Sequence, residues 1–438
     1  MFDYVSQALQ TDKAQKALVE ADSSLRAVSE SYQLPNRKTE DWKYSSLVNL
    51  TKADYVQRYA DLSPSDESIA ELVKIDALDC YRAVFVNGDY RASLSTLDIN
   101  SDVACCEIVR ESSEERKHEF SQRINSCIDL EKHQFVGLNT LNVDDALWLQ
   151  VAASKQLDKP LHIFFVNTKA EQCFHVNPRV LVELAPNSEA TVIEHYLSCE
   201  GEQNSLTNAV SELYLADNSQ LTHYRIQEEQ EAALHIGAVH VQLSRSANLN
   251  SFNFALGSKF KRIDFVVNHS GEGAHSQLNG VYLPINKQHI DFHTCIEHTV
   301  PNCTSDEVFR GIIADSSRAV FNGRIHIHRD AQKTLANMSN KNLLTSNKAE
   351  IDTKPELEIY ADDVRCAHGA TIAQLQGESL HYFKTRGISA NDARVMLSFG
   401  FINELIEGLA DDAVANYLRP IISNIFMRDG NVVGQLVE

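Results

Sequence analysis

The 438-residue sequence lacks the short motifs that usually mark a free-standing enzyme. A G-x-x-x-x-G-K-[ST] nucleotide loop, a G-x-G-x-x-G fingerprint, an H-E-x-x-H helix and a G-x-S-x-G nucleophile turn are all absent. No C-x-x-C pair occurs, which argues against a zinc ribbon or a self-contained ferredoxin-type site. We therefore expect a protein that is not itself an enzyme and that does not bind ATP through a P-loop.

Further absences bear on location and partners. No run approaches the roughly 18 apolar residues of a membrane span, and the first thirty residues lack the apolar segment of a secretory signal. Nine cysteines, with Cys105 and Cys106 adjacent, indicate free thiols in a reducing compartment. The net charge of −20 disfavours nucleic acid and anionic membranes. We predict a cytoplasmic protein with neither kind of partner.

Hydrophobic periodicity predicts helical domains at both ends of the chain. Residues 1–130 are expected to be mostly helical, with a hairpin turn at Asn87-Gly88. An opening amphipathic helix is indicated by Val5, Leu9, Leu18, Ala21 and Leu25. Residues 386–438 predict two amphipathic helices, the first capped by Ser389.

Residues 131–385 consist of short apolar runs separated by small polar turns. Ala190, Leu221, Leu249 and Ala274 follow one another at offsets of 31, 28 and 25 residues. Such a loose period is typical of the coils of a β-solenoid. A sandwich or barrel is the alternative, but a single sandwich of this length would be unusual. The favoured core is a parallel β-helix.

The run RIHIHRD places His326 and His328 on one face of a predicted strand. An H-x-H pair can begin a hydrolase-type metal site, but the sequence does not locate its carboxylate or histidine partners. The alternation favours a simpler interpretation, in which Ile325 and Ile327 point into the solenoid and both histidines face solvent.

The run DFHTCIEHTVPNC places His293, Cys295 and Glu297 together on one strand face. These residue types could bind a metal ion. A cysteine also behaves as a small hydrophobic residue when it is buried. We favour this structural interpretation, with Cys295 inside the core.

The run DDVRCAHGATIAQL sets Cys366 and His368 two residues apart, so that both point to the same side of a strand. Thiolate sulfur and imidazole nitrogen suit zinc, ferrous iron, copper or a nascent iron–sulfur cluster. A stable cluster usually takes four ligands, so the others must come from elsewhere in the chain or from a partner. Gly369 suggests a bulge or a close approach of another backbone. On the residues alone, a buried cysteine beside a hydrogen-bonded histidine is narrowly favoured.

The sequence resembles the SufB/SufD family of iron–sulfur cluster assembly proteins over most of its length. The resemblance is carried by four runs: RKTEDWKYSSL, VFNGRIHIHRDAQKTLANMSNKN, NLLTSNKAEIDTKPELEIYADDVRCAHGATIAQL and HYFKTRGISANDARVMLSFGFINEL. The C-x-H-G-A-T form that begins at Cys366 resembles the SufD branch, whereas the SufB branch carries a glutamate in this strand and further cysteines. For Trp42 and Tyr44, in the first run, we expect packing of a loop.

The resemblance implies a mainly β fold, with a right-handed parallel β-helix at residues 131–385 flanked by an N-terminal helical (α/β) domain and a C-terminal helical domain. It also implies pairing with SufB, docking of the ATPase SufC, and sulfur supplied by a cysteine desulfurase system. His368 would lie at the SufB interface with Cys366 beside it. There a transient cluster or iron would be shared with SufB, reduced flavin could take part, and this chain alone would hold no cofactor stably.

A further expectation concerns the C-terminal helices. An apolar stripe of Phe399, Phe401 and Leu405 either contributes to SufC docking or packs on the β-helix alone. Two rival functions also remain: a purely structural partner of SufB without metal or sulfur chemistry, and a carbohydrate-active β-helix enzyme. The free cysteines and the missing secretory signal oppose the second rival.

Overall fold

In a computed structural model, the chain forms a two-sheeted β-solenoid of about eight turns with helices at both ends. The structure describes residues 35–57, 66–143, 145–199, 201, 204–375 and 377–427. The predicted opening helix, Val5 to Leu25, lies outside these residues. The mainly β architecture predicted from the sequence is confirmed, whereas the division into three domains stays a prediction.

Twenty-one strands are defined in the described residues. They are β1 (Val56–Gln57), β2 (Tyr81–Val86), β3 (Asp89–Tyr90), β4 (Ala104–Ile108), β5 (Ala146–Val151), β6 (Leu161–Thr168), β7 (Phe174–Val176), β8 (Arg179–Leu184), β9 (Glu189–Cys199), β10 (Ser205–Leu215), β11 (Gln220–Glu229), β12 (Leu234–Leu243), β13 (Asn248–Gly257), β14 (Phe260–His269), β15 (His275–Tyr282), β16 (His289–His298), β17 (Thr304–Ile313), β18 (Arg318–Ile327), β19 (Leu335–Leu344), β20 (Glu350–Ile359) and β21 (Arg365–Gln374).

Consecutive strands alternate between two sheets, so that each pair of strands makes one coil. The first sheet has the order β20-β18-β16-β14-β12-β10-β8-β5-β4, with β7 also pairing with β10 and β1 with β7. The second has the order β21-β19-β17-β15-β13-β11-β9-β6-β2-β3. All pairs are parallel except β2 with β3 and β4 with β5. The predicted hairpin at Asn87-Gly88 joins β2 to β3 and is confirmed, since both turn residues have positive φ, 51° and 88°.

Stacked turns explain the loose period of the sequence. Asn187, Asn218 and Ser246 occupy equivalent corners with φ between 53° and 58°, a region that small polar residues tolerate better than bulky ones. The amide of each donates to a carbonyl of the next coil. The strand register pairs Leu249 with Ser276. The equivalent position in that coil therefore lies two residues after Ala274, the residue expected from the sequence period.

One side of each long strand points into the interior of the solenoid. Ile325 and Ile327 are fully buried there, as predicted, together with neighbours such as Phe292 and Phe321. Because alternate residues point to opposite faces, polar residues such as Glu297 and His326 of the same strands lie on the outside. The stacked apolar rows make the core continuous from coil to coil.

Six α-helices are defined in the described residues. They are α1 (Asp66–Leu72), α2 (Glu114–Arg123), α3 (Gln134–Asn142), α4 (Gly377–Thr385), α5 (Ala390–Glu407) and α6 (Asp412–Met427). Short 3₁₀ helices span Glu40–Trp42, Leu47–Lys52, Ala92–Leu94 and Val109–Glu111. The Ser389 hydroxyl accepts from the Asp392 amide at the start of α5, which confirms the predicted cap. None of these helices is both long and apolar enough to cross a bilayer.

Candidate functional site at the open end of the solenoid

The last coil of the solenoid, β20 and β21, forms an open end. Within the described residues, β20 pairs with β18 alone and β21 with β19 alone. Each strand is ten residues long and leaves one edge of backbone amides and carbonyls without a neighbouring strand. Such an edge can pair with another strand. The open end is therefore a surface suited to pairing with another β-structure.

Large apolar side chains are also exposed in this region. Leu335, Ile359, Tyr360 and Ile372 are 45%, 41%, 61% and 52% exposed, respectively. Most long strands of the earlier coils are at least half buried, whereas β21 is exposed along nearly its whole length. Apolar surface next to free strand edges is typical of an interaction site.

Cys366 and His368 lie on β21 and continue two rows of the interior. Cys366 is the register partner of the buried Ala336, and His368 that of the buried Met338. Because no described strand covers β21, the Cys366 side chain is half-buried against the core and His368 is exposed. Burial raises the pKa of the Cys366 thiol, against an opposing hydrogen bond from the Ala336 backbone. The two side chains share one face, as the spacing predicted.

The pair does not form a closed metal site with other described residues. Two groups of three possible ligands occur in the described part of the chain, and neither includes Cys366 or His368. At Gly369, an added Cβ would meet no atom within 4 Å, and β21 pairs with β19 in unbroken register. The predicted bulge is therefore wrong, and the side of β21 at Gly369 is open.

Comparisons with known proteins identify the family. A family model described as "SUF system FeS cluster assembly, SufBD core domain" matches residues 164–401, and a model of the SufBD N-terminal region matches residues 2–163. The iron–sulfur cluster assembly protein SufD of Escherichia coli is 32% identical over 87% of this chain and 86% of its own length. The chain belongs to the SufBD family of iron–sulfur cluster assembly proteins.

Other relatives match over similar lengths. A SufBD family protein of Synechocystis is 29% identical over 90% of this chain and 88% of its own length. SufD of Bacillus subtilis is 22% identical over 91% of this chain and 92% of its own. The similarity thus spans most of the chain.

The SufBD signature run RKTEDWKYSSL packs against the outer face of the first sheet. The Trp42 ring is 7% exposed and lies 4.0 Å from the guanidinium carbon of the buried Arg262. The ring centroids of Trp42 and Phe135 are 5.5 Å apart. A hydrogen bond also joins Ser45 to Asp291. The expectation that Trp42 packs a loop is confirmed.

The C-terminal helices of this SufBD chain cover the outer face of the second sheet. Ile402 and Ile406 of α5 are fully buried in that contact, and Phe399, Phe401 and Leu405 are half-buried beside them. The Arg310 guanidinium donates to the carbonyl of Phe401 at 2.6 Å and forms an ion pair with Glu404. The predicted stripe therefore contacts the solenoid and retains partial exposure.

His326 and His328 lie on the outer face of the first sheet, as the alternation predicted. Sequence reasoning missed their carboxylate partner, Glu297, which is the register partner of His326 on the neighbouring strand. Its Oε2 atom lies 2.6 Å from His326 Nδ1 and 2.9 Å from His328 Nε2. The 29-residue offset between Glu297 and His326 falls within the coil-to-coil spacing of the sequence, which could have indicated the contact.

The predicted interior position of Cys295 is wrong. Cys295 shares a face with His293 and Glu297, but this is the outer face of β16, since Phe292 and Ile296 occupy the interior. The Cys295 thiol donates to Glu297 Oε1 at 3.4 Å. Burial raises the pKa of this thiol to about 12, reinforced by the charge of Glu297.

A second polar group, His269, His298 and Cys303, is buried inside the solenoid. The two Nδ1 atoms are 2.8 Å apart. Each Nε2 lies 2.9 Å from a serine hydroxyl, that of Ser276 or Ser305. Burial lowers the pKa of His298 to about 4. Because every imidazole nitrogen has a hydrogen-bond partner, the group is satisfied as a neutral structural network.

Proposed function

We propose that this chain acts as the SufD-type subunit of a cytoplasmic iron–sulfur cluster assembly scaffold and pairs with a SufB-type paralogue through its open end. The main observation in support is that Cys366 and His368 occupy the uncovered final strand of the solenoid. A homologous solenoid can continue both sheets by pairing with β20 and β21. This arrangement would cover the strand edges and the exposed Ile372 in one step.

The incomplete ligand set supports a shared site. Cys366 and His368 provide one sulfur and one nitrogen ligand, whereas a cluster normally takes four. Ligands from the paralogue would complete the site when its strand faces β21. Iron and sulfide are then the cargo of the complex, as a transient cluster or bound iron, and this chain alone does not retain them. Sulfur would arrive from a desulfurase system, and a reduced flavin elsewhere in the complex could supply electrons.

The C-terminal helices provide the proposed docking surface for a SufC-type ATPase. Phe399, Phe401 and Leu405 of α5 keep part of their surface exposed, and Met396 one turn before is 37% exposed. An amphipathic helix with exposed apolar side chains is a common docking element. Met396→Glu is the cleaner test because truncation of the half-buried phenylalanines would also weaken the contact with the solenoid.

The test is co-expression of the full chain with the SufB-type and SufC-type proteins, followed by cluster reconstitution. We expect His368→Ala to preserve the complex and to lower the yield of cluster at least several-fold. His118→Ala, which alters an exposed histidine on α2, serves as the matched control. Ile372→Glu should instead weaken the pairing itself, since it places a charge on the exposed apolar surface.

Two outcomes would contradict the proposal. Normal assembly and normal cluster yield with both His368→Ala and Cys366→Ala would leave a purely structural partner of SufB as the function. Pairing that is insensitive to Ile372→Glu and to other charges on β20 and β21 would place the interface elsewhere on the chain.

A further inference from the structure

Three metal-ligand side chains meet on the outer face of the first sheet. Glu297 lies on β16, and His326 lies beside it on β18 as its register partner. His328, the residue after the end of β18, is turned to the same side. Cys366 and His368 belong to the second sheet and continue its interior rows. The outer cluster is therefore a separate feature of the molecule.

The donor atoms of this cluster are close enough to share one ion. Glu297 Oε2 lies 2.6 Å from His326 Nδ1 and 2.9 Å from His328 Nε2, and the imidazole centroids are 4.2 Å apart. An ion with bonds of about 2.0–2.2 Å needs tetrahedral donors separated by roughly 3.3 Å. The observed contacts would have to widen by roughly half an ångström on binding.

The electrostatics favour a cation at this position. The carboxylate of Glu297 contacts both imidazoles and supplies a negatively charged oxygen between them. The guanidinium of Arg324 lies 3.5 Å from His326 Nδ1, but its charge is compensated by an ion pair with Glu358 at 2.8 Å.

The cluster also has room for ligands that exchange. The Glu297, His326 and His328 side chains are 23%, 17% and 44% exposed. Glu297 also lines a groove of about 430 Å³, together with Cys295 and Trp42, whereas the two histidines do not line it. An ion bound to three side chains would therefore have open positions. The buried His269, His298 and Cys303 group differs, since its imidazole nitrogens are already occupied and it has no exposed member.

We propose that Glu297, His326 and His328 bind one divalent transition-metal ion of the Zn²⁺ or Fe²⁺ class. Two imidazoles and one carboxylate are a common ligand set for these ions, with the remaining positions left to water or a small ligand. This proposal does not rest on the proposed function, because neither β21 nor a partner contributes to the site.

The test is calorimetric titration of the full, tag-free chain with Zn²⁺ under reducing conditions. The wild-type protein is expected to bind one equivalent that is lost, or weakened at least tenfold, in Glu297→Gln, His326→Ala and His328→Ala. Even the loss of a residue that only hydrogen-bonds to a metal ligand typically lowers metal affinity 10–100-fold. His381→Ala, which removes an exposed histidine of α4, should bind as the wild type does. Circular dichroism checks that each variant is folded.

His368→Ala and Cys366→Ala provide a second comparison. If the ion binds at Glu297, both variants should still bind the one equivalent of Zn²⁺ that the Glu297, His326 and His328 variants lose. The proposal is overturned if the wild-type chain binds no Zn²⁺, or if the folded ligand variants bind it as tightly as the wild type. It is also overturned if the equivalent disappears with Cys366 or His368 instead. These results are independent of whether cluster assembly is affected.

Discussion

Glu307 is a carboxylic acid inside the solenoid, and it gives the sharpest prediction for stability. Its side chain is fully buried, and neither oxygen has a hydrogen-bond partner among the described residues at normal distance. It shares an interior row with Met338 and His368. Burial raises the pKa of Glu307 to about 8, against a smaller opposing effect of Thr294. The folded protein therefore keeps a proton that the unfolded chain loses near pH 4.5.

The sign of the pH effect follows from this difference. Between pH 4.5 and about 8, the unfolded state binds fewer protons, so the free energy of unfolding falls as the pH rises. At about 1.36 kcal/mol for each pH unit, the loss is about 3 kcal/mol by pH 7 and about 5 kcal/mol above pH 8. Glu307→Gln keeps the shape of the protonated acid but cannot ionise.

Urea unfolding of both proteins from pH 5 to pH 9 measures the effect. The Glu307→Gln variant should match the wild type within about 1 kcal/mol at pH 5 and exceed it by about 3–5 kcal/mol at pH 8 to 9. Other titrating groups are common to both proteins and cancel in the difference. For Glu115→Gln, at an exposed position on α2, the free energy of unfolding should differ from that of the wild type by close to zero at every pH. A pH-independent difference for Glu307→Gln would refute the reasoning.

Three other substitutions test the packing and the open edge. Gly257→Ala would place a Cβ 1.7 Å from the Glu229 carbonyl oxygen, at a backbone φ of +66°. Urea unfolding should show that the free energy of unfolding falls by about 2–5 kcal/mol. An unchanged free energy of unfolding would contradict the close approach. Trp42→Ala uncovers Arg262 and should lower the free energy of unfolding by about 3–5 kcal/mol in the same assay. An unchanged urea midpoint would show that the loop does not stabilise the sheet. Gly369→Ala should leave the melting temperature of the isolated chain unchanged, with a stability change within about 0.5 kcal/mol. It should weaken recovery of the paralogue, and undiminished recovery would argue against close approach at that strand.

Local sequence patterns were sufficient to predict the solenoid. Small polar residues such as Asn187 and Asn218 mark the corners, and alternation along the strands indicates which residues face the core. Ile325 and Ile327 were placed correctly in this way. The run around Cys366 was among those that indicated the SufBD family, which the family models confirm.

Long-range relations were harder to predict. A shift of one residue moves a side chain to the opposite face, and for this reason Cys295 was placed inside rather than outside. Glu297 was missed as the partner of His326 because their contact depends on strand register, not on local sequence. The family resemblance placed Cys366 and His368 at a partner interface, but which strands end the two sheets follows from the order of the coils, which local sequence does not specify.

The most direct test of the central claim is affinity purification of the tagged full chain from a native cell extract, with partners identified by mass spectrometry. We predict stable recovery of a SufB-type paralogue and a P-loop ATPase, and loss of the paralogue with Ile372→Glu. Repeated recovery of the chain alone at low salt would contradict pairing through the open end of the solenoid.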